Sequence, residues 1–222
     1  MKTYLSVFMK SPGSGAKTRL RRCLSEANVV RLYEAFVEDT LEKLKACVCD
    51  VKVICYAGEP PPGGFSFSGD KGLRFVSQDG SHLGERLKNY FDWSFSQGAG
   101  KSIVIGSDSP TLPTCYLEQA FFLLGTYEVV IGPSLDGGYY LIGMSRPHPE
   151  LFDNISWSTS SVLRETLSQN RHLQGKLGLL APWYDVDTPE DLFFLKEHLQ
   201  KMRVNDEAFP ERTFHILSEL RV

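Results

Sequence analysis

The 222-residue chain is 42% hydrophobic and 23% charged, with a formal net charge of −3. This composition argues against disorder and against a membrane-inserted chain, and the length suffices for one large α/β domain spanning 1–222. The slight negative charge gives no whole-chain attraction for nucleic acid or anionic lipid, so neither is expected as a partner.

The apolar run after Met1-Lys2 is broken at Lys10, and Pro12 and Gly13 follow; it reads as a first strand over 3–9, not a signal peptide. Spacing of Val30, Tyr33, Val37, Leu41 and Leu44 by three or four residues predicts a helix over 28–46 with one apolar stripe. A second strand follows at 51–56, a Pro/Gly-rich loop at 59–70, a short strand at 73–77 and a helix over 82–95. Ser102-Ile103-Val104-Ile105 reads as a central strand buried on both faces.

A helix over 113–124 and a strand at 127–131 come next, then an apolar segment at 138–143 after too short a gap for a crossover helix. That last segment is expected to run antiparallel, making a mixed, mostly parallel sheet. The remainder reads as a helix over 158–169 with Ser158 as its cap, an extended segment at 177–186, and a helix over 189–202 with Thr188 at the N-cap and Pro189 in the first turn. A short helix over 211–220 lies in a C-terminal helical extension, 203–222. The five cysteines, Cys23, Cys47, Cys49, Cys55 and Cys115, form no tight framework, which points to a reducing, cytoplasmic compartment. No stretch approaches the ~20 apolar residues needed to cross a bilayer.

Three segments carry candidate chemistry. Lys10 through Leu20 follows the first strand and combines glycines, which let backbone N–H groups approach a phosphate, with Lys10, Lys17 and Arg19. It is not a P-loop, because Ser11 and Ala16 stand where that motif needs glycine. Gly106-Ser107-Asp108-Ser109-Pro110 sits at the carboxyl end of the central strand, where open α/β sheets gather ligands, although an aspartate there can also cap a helix. In Asp185-Val186-Asp187 an extended backbone turns both carboxylates to one side, a sensible arrangement for Mg²⁺ or Mn²⁺ shared with substrate phosphates; Asp187 can equally serve the following helix N-terminus. Asp136-Gly137-Gly138 reads as a hairpin turn or as an acceptor contact. His82 has no evident carboxylate partner and reads as an exposed first-turn residue, while Trp157 reads as core or as an acceptor wall.

Taken in order, the motifs Lys10-x-Pro12-x-x-Gly15-x-Lys17-Thr18-Arg19-Leu20, Gln78 to Leu87, Gly106-Ser107-Asp108-x-Pro110, Asp136-Gly137-Gly138-Tyr139-Tyr140, Trp157-Ser158-Thr159 and Asp185 to Leu192 resemble the nucleotide-diphospho-sugar transferase (GT-A) superfamily. The likeness is to its bacterial transferase branch related to phospholactate guanylyltransferase and the molybdenum-cofactor nucleotidyltransferases. It implies a three-layer α/β/α Rossmann-like fold and a metal-dependent transferase acting on a nucleotide or nucleotide-sugar donor and a small acceptor. Lys17 and Asp108 would be catalytic. Met9, Lys10, Pro12, Gly13, Gly15, Lys17, Arg19, Gln78 and Ser107 would bind nucleotide. Asp108, Asp185 and Asp187 would hold the metal, and Asp136, Gly137, Gly138, Tyr139, Trp157 and Ser158 would face the acceptor. The chain departs from the branch at His82, where an aspartate is usual. Nucleotidyl transfer is the expected reaction; glycosyl transfer and a non-catalytic nucleotide-binding role are the alternatives.

Overall fold

β-Branched and apolar runs build the sheet. The computed structural model describes residues 1–11, 15–59, 73–169, 176–202 and 209–220, so Pro12, Gly13 and most of the loop expected at 59–70 lie outside the described residues. Strand β1 (Lys2–Lys10) pairs parallel with β2 (Val51–Ala57) on one side and β4 (Ala99–Gly106) on the other, and β3 (Leu73–Ser77) extends the parallel set beyond β2. Strand β6 (Tyr139–Met144) runs antiparallel to both β4 and β5 (Val129–Pro133), and β7 (Leu177–Leu179) lies parallel to β5 at the edge. The resulting order is β3-β2-β1-β4-β6-β5-β7.

Alternation along β1 sends its side chains to two cores. Leu5, Val7 and Met9 face helices α1 (Glu26–Ala46) and α3 (Thr114–Leu123), whereas Tyr4 and Phe8 face α2 (Leu83–Ser96). Helix α4 (Val162–Ser168) adds Leu163 and Leu167 to the second face. The fold is therefore α/β with helices on both faces of a mixed, mostly parallel sheet.

Helix α1 differs from its expected single stripe. Tyr33, Val37, Leu41 and Leu44 turn to the sheet, but Val29, Leu32 and Phe36 form a second buried stripe against α5 (Pro189–Met202) and α6 (Glu211–Glu219), and Val30 is only half-buried. The C-terminal helix is thus packed against α1 and not merely appended. Asp39 of α1 accepts hydrogen bonds from the backbone N–H groups of Arg212 (3.2 Å) and Thr213 (2.8 Å), capping α6 from a neighbouring helix.

Helix α4 begins at Val162, four residues after the expected cap at Ser158. Ser158 has φ 66°, a left-handed backbone that cannot initiate a right-handed helix, and Thr159 makes the local turn bond to Ser156 O at 2.7 Å. The segment over 177–186 forms a regular β7 ladder only at Leu177–Leu179 and then follows β5 through isolated contacts, including a parallel bridge between Ser134 and Trp183.

Candidate active site

Every loop of interest emerges at the carboxyl edge of the parallel strands. After β7 the chain follows β5, with Trp183 N donating to Pro133 O and Leu135 N to Trp183 O, both at 3.0 Å. It then reaches the turn after β4, where Val186 N donates to Asp108 O at 3.0 Å. Val186 is fully buried against α1 and α5, so its neighbours Asp185 and Asp187 turn away from that cluster toward the strand ends.

Lys17 is the centre of the site. Its Nζ lies 2.8 Å from Asp108 Oδ1 and 2.7 Å from Asp187 Oδ1. The lysine side chain is 3% exposed, while the two carboxylates are 43% and 37% exposed, so the cluster opens to solvent on its acidic side. Burial alone would lower the lysine pKa, but the two aspartates outweigh it and raise the value. Burial conversely favours protonation of Asp187, and Lys17, Arg19 and Lys10 together still hold its carboxyl below the usual range.

Lys17 itself has φ 56° and ψ 35°, a left-handed conformation that a non-glycine residue holds only under constraint. Two contacts supply the constraint: Leu20 N donates to Lys17 O at 3.0 Å, and the Leu20 side chain is fully buried with α1 and α5.

Asp185 is treated differently from its neighbours. Its Oδ1 accepts from Ser109 Oγ and its Oδ2 from Ser134 Oγ at 2.6 Å, and burial pushes its carboxyl up to about 6. It lies near Asp108 without sharing Lys17. Asp187 is not the cap of α5, because a capping box between Thr188 and Asp191 closes that helix end. Asp191 Oδ2 accepts from Thr188 N at 2.8 Å, and Thr188 Oγ1 accepts from Asp191 N at 3.3 Å. Asp187 remains available to the site.

The other candidate residues fall into three places. The first is the donor side. Gln78 Nε2 donates to Met9 O (3.1 Å) and Cys55 O (2.8 Å), tying the ends of β1, β2 and β3 together. Ser107 is buried with its Oγ 3.1 Å from Tyr33 Oη; Lys10, Gly15 and Arg19 are exposed. The second place is the β5–β6 hairpin, where Asp136 Oδ1 accepts from Gly138 N at 2.9 Å and Gly137 has φ 92°. A Cβ on Gly137 would lie 2.2 Å from Ser160 O, so this hairpin packs tightly on the loop that carries Trp157 and Ser158. Tyr139 does not present its hydroxyl to that loop; its ring packs with α2 and α4, and the hydroxyl is buried. The third place is the start of α2. His82 caps the helix through Nδ1, accepting from Glu85 N at 3.3 Å, and stacks on Trp157 with centroids 6.1 Å apart. Trp157 lies flat against Gly84, where a Cβ would fall 2.4 Å from the indole.

Several contributors do not stand out from the sequence. The Tyr33 hydroxyl lies 2.9 Å from Lys10 N, 3.2 Å from Lys10 O and 3.1 Å from Ser107 Oγ, joining the basic loop to the Asp108 turn, yet its spacing marks it only as core. Lys43 reaches from α1 to Pro110 O, and Thr111 Oγ1 donates to Tyr184 Oη at 2.7 Å, which in turn lies 2.7 Å from His198 Nδ1. Ser109 lies within the Asp108 motif and Ser134 just before the Asp136 turn, but both gain meaning only from Asp185.

Asp108 and Asp187 offer hard oxygen donors that already hold a cation, the Lys17 ammonium, which suits Mg²⁺ or Mn²⁺. No group of three metal-ligating side chains occurs among the described residues, so phosphate and water would supply the other ligands, as is usual for Mg²⁺. No helix among the described residues is long and apolar enough to cross a membrane.

The fold is similar to that of nucleotide-diphospho-sugar transferases and nucleotidyltransferases. Residues 40–159 match the model of the family described as uncharacterized protein conserved in bacteria (DUF2064), and the chain belongs to that family. A protein from Desulfovibrio desulfuricans G20, assigned provisionally by its name to the nucleotide-diphospho-sugar transferases, is 32% identical, with a TM-score of 0.83 over 99% of this chain and 95% of that one. The 2-phospho-L-lactate guanylyltransferase of Methanocaldococcus infernus is 24% identical over 82% of this chain and 79% of its own. A Mycobacterium tuberculosis H37Rv protein crystallised with manganese shares the fold at 16% identity and a TM-score of 0.52, over 89% and 99% of the two chains.

Proposed function

We propose that the protein transfers a nucleotidyl group from a nucleoside triphosphate to a small phosphorylated or hydroxyl acceptor, with Mg²⁺ or Mn²⁺ held by Asp108 and Asp187. The observation that carries this reading is the convergence of Lys17, Asp108 and Asp187 at the carboxyl edge of β1 and β4. A bound divalent ion would neutralise charge on the donor phosphates. Lys17 would stabilise the charge that develops on pyrophosphate as the acceptor oxygen attacks the α-phosphorus and the bond to the bridging oxygen breaks. Positioning and electrostatics suffice for such chemistry, so no nucleophilic side chain is required.

Lys10, Arg19 and the N–H groups around Gly15 serve the donor phosphates, and Ser107 and Gln78 hold the walls of the donor loop. Asp185, anchored by Ser109 and Ser134, stands beside the reacting groups as an accessory carboxylate. Asp136, Gly137, Gly138, Trp157 and Ser158 frame the acceptor side. The guanylyltransferase name of the archaeal relative and the manganese complex of the mycobacterial protein support a nucleotide donor and a divalent ion.

Glycosyl transfer from a nucleotide sugar is favoured by the name of the Desulfovibrio relative. Product analysis with Mg²⁺, a nucleotide panel and phosphorylated acceptors separates the two. Pyrophosphate release is expected; nucleoside diphosphate release from a nucleotide sugar would replace the proposed reaction with the second.

A further inference from the structure

Two aspartates would serve a metal and Lys17 would serve phosphate, but in this structure the lysine is bound to those same aspartates. Asp108 Oδ1 and Asp187 Oδ1 both point at Nζ, at 2.8 and 2.7 Å. A divalent ion drawn into contact with these oxygens, at the ~2.0–2.1 Å typical of Mg²⁺, would lie against the ammonium. Two cations cannot share that position.

Charge balance constrains how the site can be filled. Lys17, Asp108 and Asp187 together carry one net negative charge. A divalent ion in place of the ammonium neutralises both carboxylates but strands a buried lysine. Phosphate that draws the lysine away without metal leaves two adjacent carboxylates without their salt-bridge partner, with the exposed Arg19 and Lys10 as the remaining cations near Asp187. Either half-step creates an uncompensated charge in a partly buried site, and only the two steps together leave every charge with a partner.

We propose that Lys17 is an internal cation of the Asp108–Asp187 pair that is exchanged for a divalent ion when the nucleotide phosphates take up its ammonium, so that metal and nucleotide binding are obligatorily coupled. The inference rests on the proposed metal–nucleotide reading and adds a binding order to it: metal alone binds weakly, and phosphate alone binds weakly. The left-handed backbone of Lys17, on a short turn anchored by Leu20, holds the ammonium at this position while the loop before it carries the exposed Gly15.

The test is Mn²⁺ binding to the full chain by electron paramagnetic resonance, with and without the α,β-methylene analogues of GTP and CTP, correcting for Mn²⁺ bound by the analogue itself. Lys17→Met is expected to tighten Mn²⁺ binding in the absence of analogue by roughly tenfold and to abolish the analogue's enhancement, within the usual range of coupling energies. Lys10→Met removes the same charge at an exposed position near Asp187 and is expected to tighten it by less than about threefold, as screening dictates. The Lys17 ammonium resonance, assigned in wild type by its loss in Lys17→Arg, gives a readout that survives misfolding of the Met variant. It is expected to persist with Mg²⁺ alone and to move with Mg²⁺ plus analogue.

Equal effects of Lys17→Met and Lys10→Met on Mn²⁺ binding without analogue, or a Lys17 resonance unmoved by Mg²⁺ and analogue, would overturn the exchange and leave the metal on the outer carboxylate oxygens. In that case pyrophosphate release would still uphold the transferase reading. Failure of both Mn²⁺ and analogue to bind either protein would overturn both.

Discussion

The backbone N–H of Val186 donates to the carbonyl of Asp108 at 3.0 Å, joining residues 78 positions apart in the chain. This bond aligns the segment after β7 with the turn after β4. With Val186 buried below, it brings Asp185 and Asp187 to the Asp108 turn, Asp185 against Ser109 and Asp187 against Lys17. The site depends on this pairing as much as on the acidic side chains.

Truncation of the buried anchor tests that dependence. Val186→Ala removes two methyl groups from a fully buried position and is expected to cost about 2 kcal/mol of stability. Urea unfolding measures the loss. Turnover in the folded variant is expected to fall more steeply than stability explains, because the aspartates lose their register with Lys17.

Tyr33→Phe tests the link between the basic loop and the Asp108 turn. Burial, then Asp108, pushes the Tyr33 hydroxyl up to about 12, so it remains a protonated donor across the working pH range. Its removal is expected to cost about 1 kcal/mol in stability and to raise KM for the donor roughly tenfold with a smaller change in kcat. An unchanged KM would reduce Tyr33 to a packing residue.

Gly137→Ala addresses the hairpin. The residue has φ 92°, and the new Cβ would meet the backbone oxygen of Ser160 at 2.2 Å, an atom that no side-chain rotation can move aside. The strain and the clash together are expected to destabilise the protein by about 2–4 kcal/mol in urea unfolding. Ser134 lies at the start of the same hairpin, so its bond to Asp185 is expected to be disturbed as well.

The surface cluster around Glu128 sets a pH dependence. The hydrogen bond from Lys176 at 2.6 Å, with Arg146 adding to it, holds the Glu128 carboxyl below the usual carboxylate range. A depressed folded value means that Glu128 stabilises the protein above the unfolded pKa of about 4.3, and that this stabilisation is lost as pH falls through the folded value. Glu128→Gln is therefore expected to melt below wild type at pH 7 and to converge with it near the acid end of the titration, the difference shrinking in high salt. Equal melting temperatures at pH 7 would show that the cluster contributes nothing.

The legible features were those set by neighbours in sequence. Helix α5 occupies 189–202 as its Thr188 cap and Pro189 predict, because caps act within one turn. The antiparallel direction of β6 follows from the short connection before it. The features that escaped depend on distant partners. The second buried stripe of α1 exists because α5 and α6 cover it, and Ser158 fails as a cap because the loop before α4 takes a left-handed turn there.

For this protein the sequence alone determined the alternation of strands and helices, the mixed sheet, and the acidic and basic residues that gather at one edge, since periodicity, turn chemistry and charge are local properties. Only the tertiary structure decided how those residues are divided. Asp108 and Asp187 hold Lys17, while Asp185 is secured by Ser109 and Ser134. Three carboxylates of one chemical type acquire different environments because burial and hydrogen-bond partners are set by residues far apart in the chain, and no spacing rule within a strand can specify them.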